Sequence, residues 1–353
     1  MKNFTHQIFR SIIIILFLIL GFQTLIAQEN KNYKIACIAF YNLENLFDTI
    51  NNEGVNDVEF TPAGKSHWTS DKYQKKLTVI AEVISQIGTN LTPGGPAIIG
   101  VSEIENRGVL EDLIDEPQLK PLNYQIIHYD SPDRRGIDVA LLYQPKYFKI
   151  TGSKSHRLII EEKGNFFTRD QLLVSGILDN DTLHIIVNHW PSRRGGEKRS
   201  QPLRIAAADL SRKIIDSLCT INSNAKIILM GDLNDNPNNQ SIRKHLRANG
   251  DIDNLRTGEL YNPMEKLYKK GIGSNAWRDS WSLFDQIIVT PSLVGEDNNS
   301  WKLHKAKVFN KKFLIQTEGR YKGYPHRTYV SGVYLGGYSD HFPVYIYLIK
   351  EVD

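Results

Sequence analysis

Four stretches of this chain are too uniformly apolar to lie on a surface. Lys34–Phe40 (KIACIAF), Ala97–Val101, Lys226–Met230 and Val344–Leu348 lack the alternation of a half-exposed strand and read as strands buried on both faces. Such a strand needs a layer above it and a layer below. Helical stripes supply some cover: Leu77, Ile80, Ala81, Ile84 and Ile87 within Tyr73–Ile87, and Leu203, Ala207, Leu210 and Ile214 within Gln201–Leu218. Hairpins supply the rest, pairing Tyr124–Tyr129 with Val139–Tyr143 and Leu172–Leu178 with Leu183–Asn188 across Asp179-Asn180-Asp181. About ten strands and three or four substantial helices, with hairpins outnumbering βαβ crossovers, predict an α/β (α+β) chain. Two packed mixed sheets with helices on their outer faces satisfy that count.

The first 27 residues stand apart. Lys2 and Arg10 precede an apolar run from Ile12 to Ile26, and Ala27 offers a small residue for cleavage. This is the pattern of a secretory signal peptide, too short and poorly flanked for a membrane span, so an exported protein is expected, periplasmic or extracellular. A retained N-terminal anchor is the competing reading. Removing 1–27 takes away two basic residues and no acids, leaving 41 basic and 39 acidic side chains. Such near-neutrality selects no partner, and local patches must carry that argument. Two cysteines, Cys37 and Cys219, are too few for a disulfide framework, although export permits one bridge. No linker or repeat interrupts the remaining 28–353, which read as a single domain.

The chemistry gathers where the apolar runs stop. Phe40 leads to Asn42, Val101 to Glu103, Asn188 to His189, Met230 to Asp232 and Asn234, and Ser339 to Asp340 and His341; Asp285 opens a sixth strand. Any one of these is ordinarily a capped strand end. Random strand ends, however, would show Ser, Thr, Lys and Gly as often as this carboxylate, carboxamide and imidazole set. Asn, Glu and Asp are hard oxygen ligands for Mg²⁺, Mn²⁺ or Ca²⁺, and imidazoles beside a further Asp can position water and handle protons. The absence of His-x-x-x-His and the wide cysteine spacing argue against zinc. No Gly-x-Ser-x-Gly or P-loop is present, which counts against an α/β hydrolase or a nucleoside triphosphatase.

Asn42-Leu43-Glu44-Asn45, Ser102-Glu103, Asn188-His189, Gly231-Asp232-Leu233-Asn234, Phe284-Asp285-Gln286 and Ser339-Asp340-His341 occur in the order of the endonuclease/exonuclease/phosphatase superfamily, which the chain resembles from Lys34 to Leu348. The resemblance implies a deoxyribonuclease I-like, four-layered sandwich and metal-dependent attack of water on phosphorus. It implies Glu103 as the principal metal ligand, with Asn42 and Asp340 completing the site. Asp232 would orient or deprotonate the water with Asn234 beside it. His189 would hydrogen-bond the scissile phosphate, and His341, paired with Asp285, would be the second imidazole. The metal is expected to be Mg²⁺, with Mn²⁺ or Ca²⁺ as alternatives. Glu44 and Glu105 are expected to be supporting residues, and the role of Asp138 is open.

Basic segments mark the expected substrate side. Arg135, Arg169, Arg193 and Arg194 are candidate phosphate contacts, and Arg193-Arg194 follows His189 closely. Trp190, Trp277 and Trp281 are expected in the core or at the rim rather than as base-stacking platforms, and His67, His128, His184 and His326 as ordinary polar residues. No long apolar hairpin of the kind that enters a membrane is present. The expectation is an exported nuclease acting on DNA or RNA, with no stable membrane association after leader cleavage. A phosphatase or sphingomyelinase-type esterase using the same site is the second reading. A non-catalytic, secreted phosphate-ligand binding protein is the third.

Overall fold

Phe40 and Tyr41 are neighbours on one strand yet pack into different cores, and that division organises the molecule. The computed structural model describes residues 32–160, 163–164, 166–295 and 297–352; the expected leader, 1–27, lies outside them. Its elements are β1 (Asn32–Leu46), α1 (Ser70–Gln86), β2 (Ile98–Ile104), α2 (Arg107–Ile114), β3 (Gln125–His128), β4 (Asp138–Tyr143), β5 (Phe148–His156), β6 (Gln171–Leu178), β7 (Asp181–His189), α3 (Glu197–Ile221) and β8 (Lys226–Asp232). These are followed by β9 (Ala248–Asn249), β10 (Leu260–Tyr261), α4 (Met264–Lys269), β11 (Asn275–Trp277), β12 (Ser280–Ser282), β13 (Asp285–Val289), β14 (Lys302–Val308), β15 (Tyr329–Val330), β16 (Val333–Tyr334) and β17 (Val344–Val352). Ile35–Lys350 form one compact unit; the described residues of the other, 32–34 and 351–352, are the ends of β1 and β17.

Two large mixed sheets result, one ordered β14-β17-β1-β2-β4-β3 and the other β5-β6-β7-β8-β13-β10-β9. Period-2 geometry sends alternate residues of β1 to opposite faces. Ile38 and Phe40, with Ile98 and Leu141, face Val187, Ile228, Met230 and Ile287 of the second sheet. Ala39 and Tyr41 face Leu77, Ile80 and Ile84 of α1 and Val109 and Leu113 of α2. On the far side, Ile186, Leu229 and Ile288 pack against Ala207, Ile214 and Ile215 of α3. The expected helix–sheet–sheet–helix layering is therefore present. The sheets approach so closely at Gly100 that an added Cβ would lie 2.6 Å from Met230 Sδ and 3.1 Å from Val187 Cγ1, so no side chain fits there.

Asp179 and Asn180 turn β6 into β7 with φ of +44° and +70°, as a two-residue hairpin turn demands. Cys37 lies in the core beneath α1 and Cys219 against the core of α3, and both thiols are free. The bridge that export permits is thus not formed. Among the described residues no helix is long and apolar enough to cross a membrane.

Candidate active site

The buried strands deliver their polar ends to one edge of the sandwich. β1 and β2 run parallel, with Asn42 opposite Ser102 and Glu103 next in the chain. β7 and β8 also run parallel and place His189 opposite Asp232, while antiparallel β13 sets Asp285 opposite Asp232 on the other side. Asn42 Nδ2 donates to Asp232 Oδ2 at 3.1 Å, a buried bond that joins the two sheets. Gly231 lets β7 and β8 pair closely just before Asp232: a Cβ there would sit 2.2 Å from the Asn188 carbonyl oxygen.

Asp232 is almost fully buried. Its Oδ1 accepts from Asn234 N at 2.9 Å, and Oδ2 lies 3.6 Å from His189 Nε2. Burial raises its pKa to about 7, partly opposed by the His341 cation, so it exchanges protons near neutrality. The two imidazoles are held in opposite states. His341 Nδ1 is 2.6 Å from Asp285 Oδ2. Burial pushes this imidazole down, but Asp285, with Asp340 and Asp232, holds it well above its ordinary value. Its Nε2 faces Asn275, whose Nδ2 is 3.4 Å away and whose Oδ1 has no partner; turning that amide over gives the cationic ring an acceptor. His189 is held well below its ordinary value by burial and by the charges of Arg169, Arg135 and His341. Its Nε2 faces Glu103 at 3.7 Å, and its buried Nδ1 has no partner. A neutral ring with the proton on Nε2 fits both facts.

Glu103 is set by a bulge. The β2 register breaks between Ser102 and Ile104 against both β1 and β4, and Glu103 itself has a φ of +58°. The displaced residue turns its carboxylate to the site edge, where Oε2 accepts from Asn45 N at 3.1 Å. Asp340 sits at the same rim with its side chain 30% exposed, against 17% for Glu103, and Arg327 Nη2 lies 3.9 Å from its Oδ2. Both carboxylates are accessible, and carboxylate oxygens suit a hard divalent cation. Asn42 is more constrained. Its Oδ1 already accepts from Glu44 N at 2.9 Å, leaving one lone pair for a metal.

Glu44 and Glu105 do not share the role of Glu103. Strict alternation would put residues two apart on one face, but the left-handed Glu44-Asn45 step and the Glu103 bulge turn them elsewhere. Glu105 accepts from Asp48 N and Asn52 Nδ2. Glu44 accepts from Thr328 N at 2.7 Å, while buried Lys76 of α1 donates to Thr328 Oγ1 at 2.6 Å and to the Tyr338 carbonyl at 2.7 Å. Burial draws Lys76 down to about 8 against the pull of Glu44. Together they pin both legs of the segment that ends in Asp340-His341. Lys76 carries no sequence signal beyond being a lysine on the apolar face of a helix. Lys76→Met is expected to destabilise the protein by about 1–3 kcal/mol in denaturant unfolding, because it leaves the Tyr338 carbonyl and the buried Thr328 hydroxyl without their donor; Lys76→Arg, which keeps a donor, should cost less.

Two expected phosphate contacts are corrected. Arg169 is buried, and its guanidinium binds Asp133 at 3.0 Å and the carbonyls of His189 and Trp190 at 3.2 and 2.6 Å, so it positions the His189 turn. Arg193 binds the Asn234 carbonyl, Asp235 and Asn239, and lies over Phe284, so it ties down the Asp232–Asn234 loop. Arg135 and Arg194 remain exposed. Asn234 Nδ2 donates to the Trp190 carbonyl, locking it beside Asp232. Trp190 is core, Trp281 stacks on Phe342, and Trp277 is exposed at the rim. Asp138 pairs with His128 at 2.9 Å and bonds Ser131, closing the 131–138 turn.

The paired sheets bring buried acids and two imidazoles, one charged and one neutral, to one edge, a set that can handle the protons of an attacking water. The sequence profile described as the Endonuclease/Exonuclease/phosphatase family matches residues 37–350, and the chain belongs to that family. Solved structures agree on the fold. Humanized TDP2 from D. rerio superposes with a TM-score of 0.54 at 12% identity, covering 89% of this chain and 98% of that one. A mannosyl-6-phosphatase from Bacteroides thetaiotaomicron gives 0.53 at 20% identity, covering 89% and 99%. The human Nocturnin catalytic domain with bound sulfate gives 0.51 at 14%, covering 91% and 98%. No curated protein matches this sequence significantly.

Proposed function

We propose that the protein is an exported, metal-dependent phosphodiesterase that cleaves nucleic-acid strands. The observation that carries this reading is the cationic surface beside His189, where exposed Arg135 and Arg194 open onto solvent at the site edge. A polyanion is drawn to such a surface. A bound divalent cation, held by Glu103 and Asp340 with the free lone pair of Asn42, would neutralise charge on the phosphoryl oxygens. The chain's own groups do the rest. Asp232, with its pKa near 7, takes the proton of the attacking water. Asn234 N fixes its second oxygen. His189 donates from Nε2 to a non-bridging phosphoryl oxygen, and the His341 cation balances charge gathering on the phosphate.

A second reading, a phosphatase on sugar phosphates, is favoured by the fold shared with the Bacteroides mannosyl-6-phosphatase. D. rerio TDP2, by contrast, is known in complex with a single-strand DNA product. The test is turnover of plasmid DNA, RNA oligonucleotides, sphingomyelin and sugar phosphates with Mg²⁺, Mn²⁺ or Ca²⁺. Activity should disappear with chelator and return with metal, and the protein should be found outside the cytoplasm. Cleavage of sugar phosphates alone would overturn the nuclease reading in favour of the second.

A further inference from the structure

Beside the His189 turn lies a cavity of about 370 Å³, lined among others by Arg135, Phe167, Thr168, Arg169, Ser192 and Arg194. It is within the size range of small-ligand sites. Arg169 forms part of its wall and is spent on Asp133 and the His189 and Trp190 carbonyls, so the wall is rigidly tied to the catalytic turn. Arg135 and Arg194 bring two further positive charges, and Arg134, also lining it, lies 5.4 Å from the Phe167 ring. Asp133 is the one acid in the wall; Arg169 lies 3.0 Å from one of its oxygens and Arg135 3.5 Å from the other, so the arginines of the wall outnumber it. Thr168 is 3% exposed, and its buried hydroxyl has no hydrogen-bond partner. A buried, unsatisfied hydroxyl in a polar wall is uncommon and costs stability.

The geometry points to a subsite for a second phosphate group of the substrate, one unit away from the scissile phosphate and separate from the carboxylate end of the site. Arg135 and Arg194 supply the charge, and Phe167 supplies a face for the connecting sugar or base. Thr168 adds a wall hydroxyl that has no partner in the fold and reaches an anion once its side chain turns outward. This rests on the phosphoesterase reading and deepens it, since the preferred substrates then carry at least two phosphates. That second phosphate can come from a nucleic-acid strand or from a bisphosphorylated small molecule.

The test is calorimetric titration, in chelator to prevent turnover, with thymidine 3′,5′-bisphosphate and thymidine 5′-monophosphate. The bisphosphate should bind the wild-type protein at least 10-fold more tightly. Arg194→Gln and Thr168→Val should each cut that advantage below threefold; Thr168→Val removes a hydroxyl that bonds nothing in the fold, so folding is not at issue. Equal binding of the two nucleotides, or an advantage untouched by both substitutions, overturns the subsite. Cleavage of thymidylyl oligonucleotides is scored in parallel. A protein that shows the binding advantage but cuts no strand sinks the nuclease reading, keeps the subsite and points to the small-molecule source.

Discussion

Asp232→Asn is expected to lower kcat about 10³-fold or more while making the metal-free protein more stable at pH 8. The catalytic loss follows from proton affinity. A carboxylate with a pKa near 7 takes a proton from water as it attacks, and a carboxamide cannot. The stability gain follows from the same shift. The folded-state pKa is raised above the unfolded value, so the contribution of Asp232 is fully favourable below the unfolded pKa, near 4. It is lost as pH rises through about 7. At pH 8 the ionised, desolvated carboxylate therefore opposes folding by a few kcal/mol, at about 1.4 kcal/mol per pKa unit. One structural cost runs the other way. Asn42 Nδ2 donates to Oδ2 and Asn234 N to Oδ1, so an Asn at 232 turns its amide nitrogen toward one of these donors, at a cost of about 1–3 kcal/mol. The melting temperature of the variant in chelator should exceed wild type by a few degrees at pH 8 and converge with it near pH 4. The wild-type rate should rise with pH along a limb whose midpoint lies no higher than about 7, because a bound cation favours the carboxylate form. Near-normal turnover in the variant would remove Asp232 from the proton-transfer step.

The sequence shows the layers and the site edge for one reason: strands buried on both faces leave a long apolar signal, and their polar ends stand out against it. Where a strand lies at a sheet edge, that signal fails. β5 (FKITGSKSH) and β14 (KLHKAKV) each lie at an edge of a sheet, and their lysines and serines interrupt any apolar run while discouraging edge-to-edge pairing. The orientation of Glu103 was likewise illegible, because it depends on a one-residue bulge that no periodicity announces. Arginines were misread for a related reason. Arg169 and Arg193 have the right type and spacing for phosphate, but their partners are backbone carbonyls and distant acids such as Asp133 and Asp235, which only the folded chain brings near. Lys76 lay hidden on an apolar stripe, and its acceptors at Thr328 and Tyr338 are more than 250 positions away. The pairing of His341 with Asp285, implied only by the ordered resemblance, is present at 2.6 Å.

That pair gives the second large effect. His341→Ala is expected to cost 10²–10⁴-fold in kcat, since it removes the one imidazole that stays cationic against the phosphate. It also strands the fully buried Asp285 carboxylate, whose Oδ1 has no partner even in the intact fold, and should destabilise by about 3–5 kcal/mol. Asp285→Asn is informative because it keeps an acceptor for Nδ1–H but removes the charge. Burial alone pushes His341 down; the carboxylates, Asp285 first, hold it up. Without Asp285 the imidazole loses its proton at lower pH, so the alkaline limb of the rate profile should move toward acid while activity below it partly survives. Because Asp285 acts through His341, the double variant should be no slower than His341→Ala alone, and it should recover part of the lost stability by removing the stranded charge. Additive losses in kcat would mean that Asp285 touches the reaction independently of the histidine. An unmoved alkaline limb in Asp285→Asn would mean that the charge of His341 is not what the reaction uses.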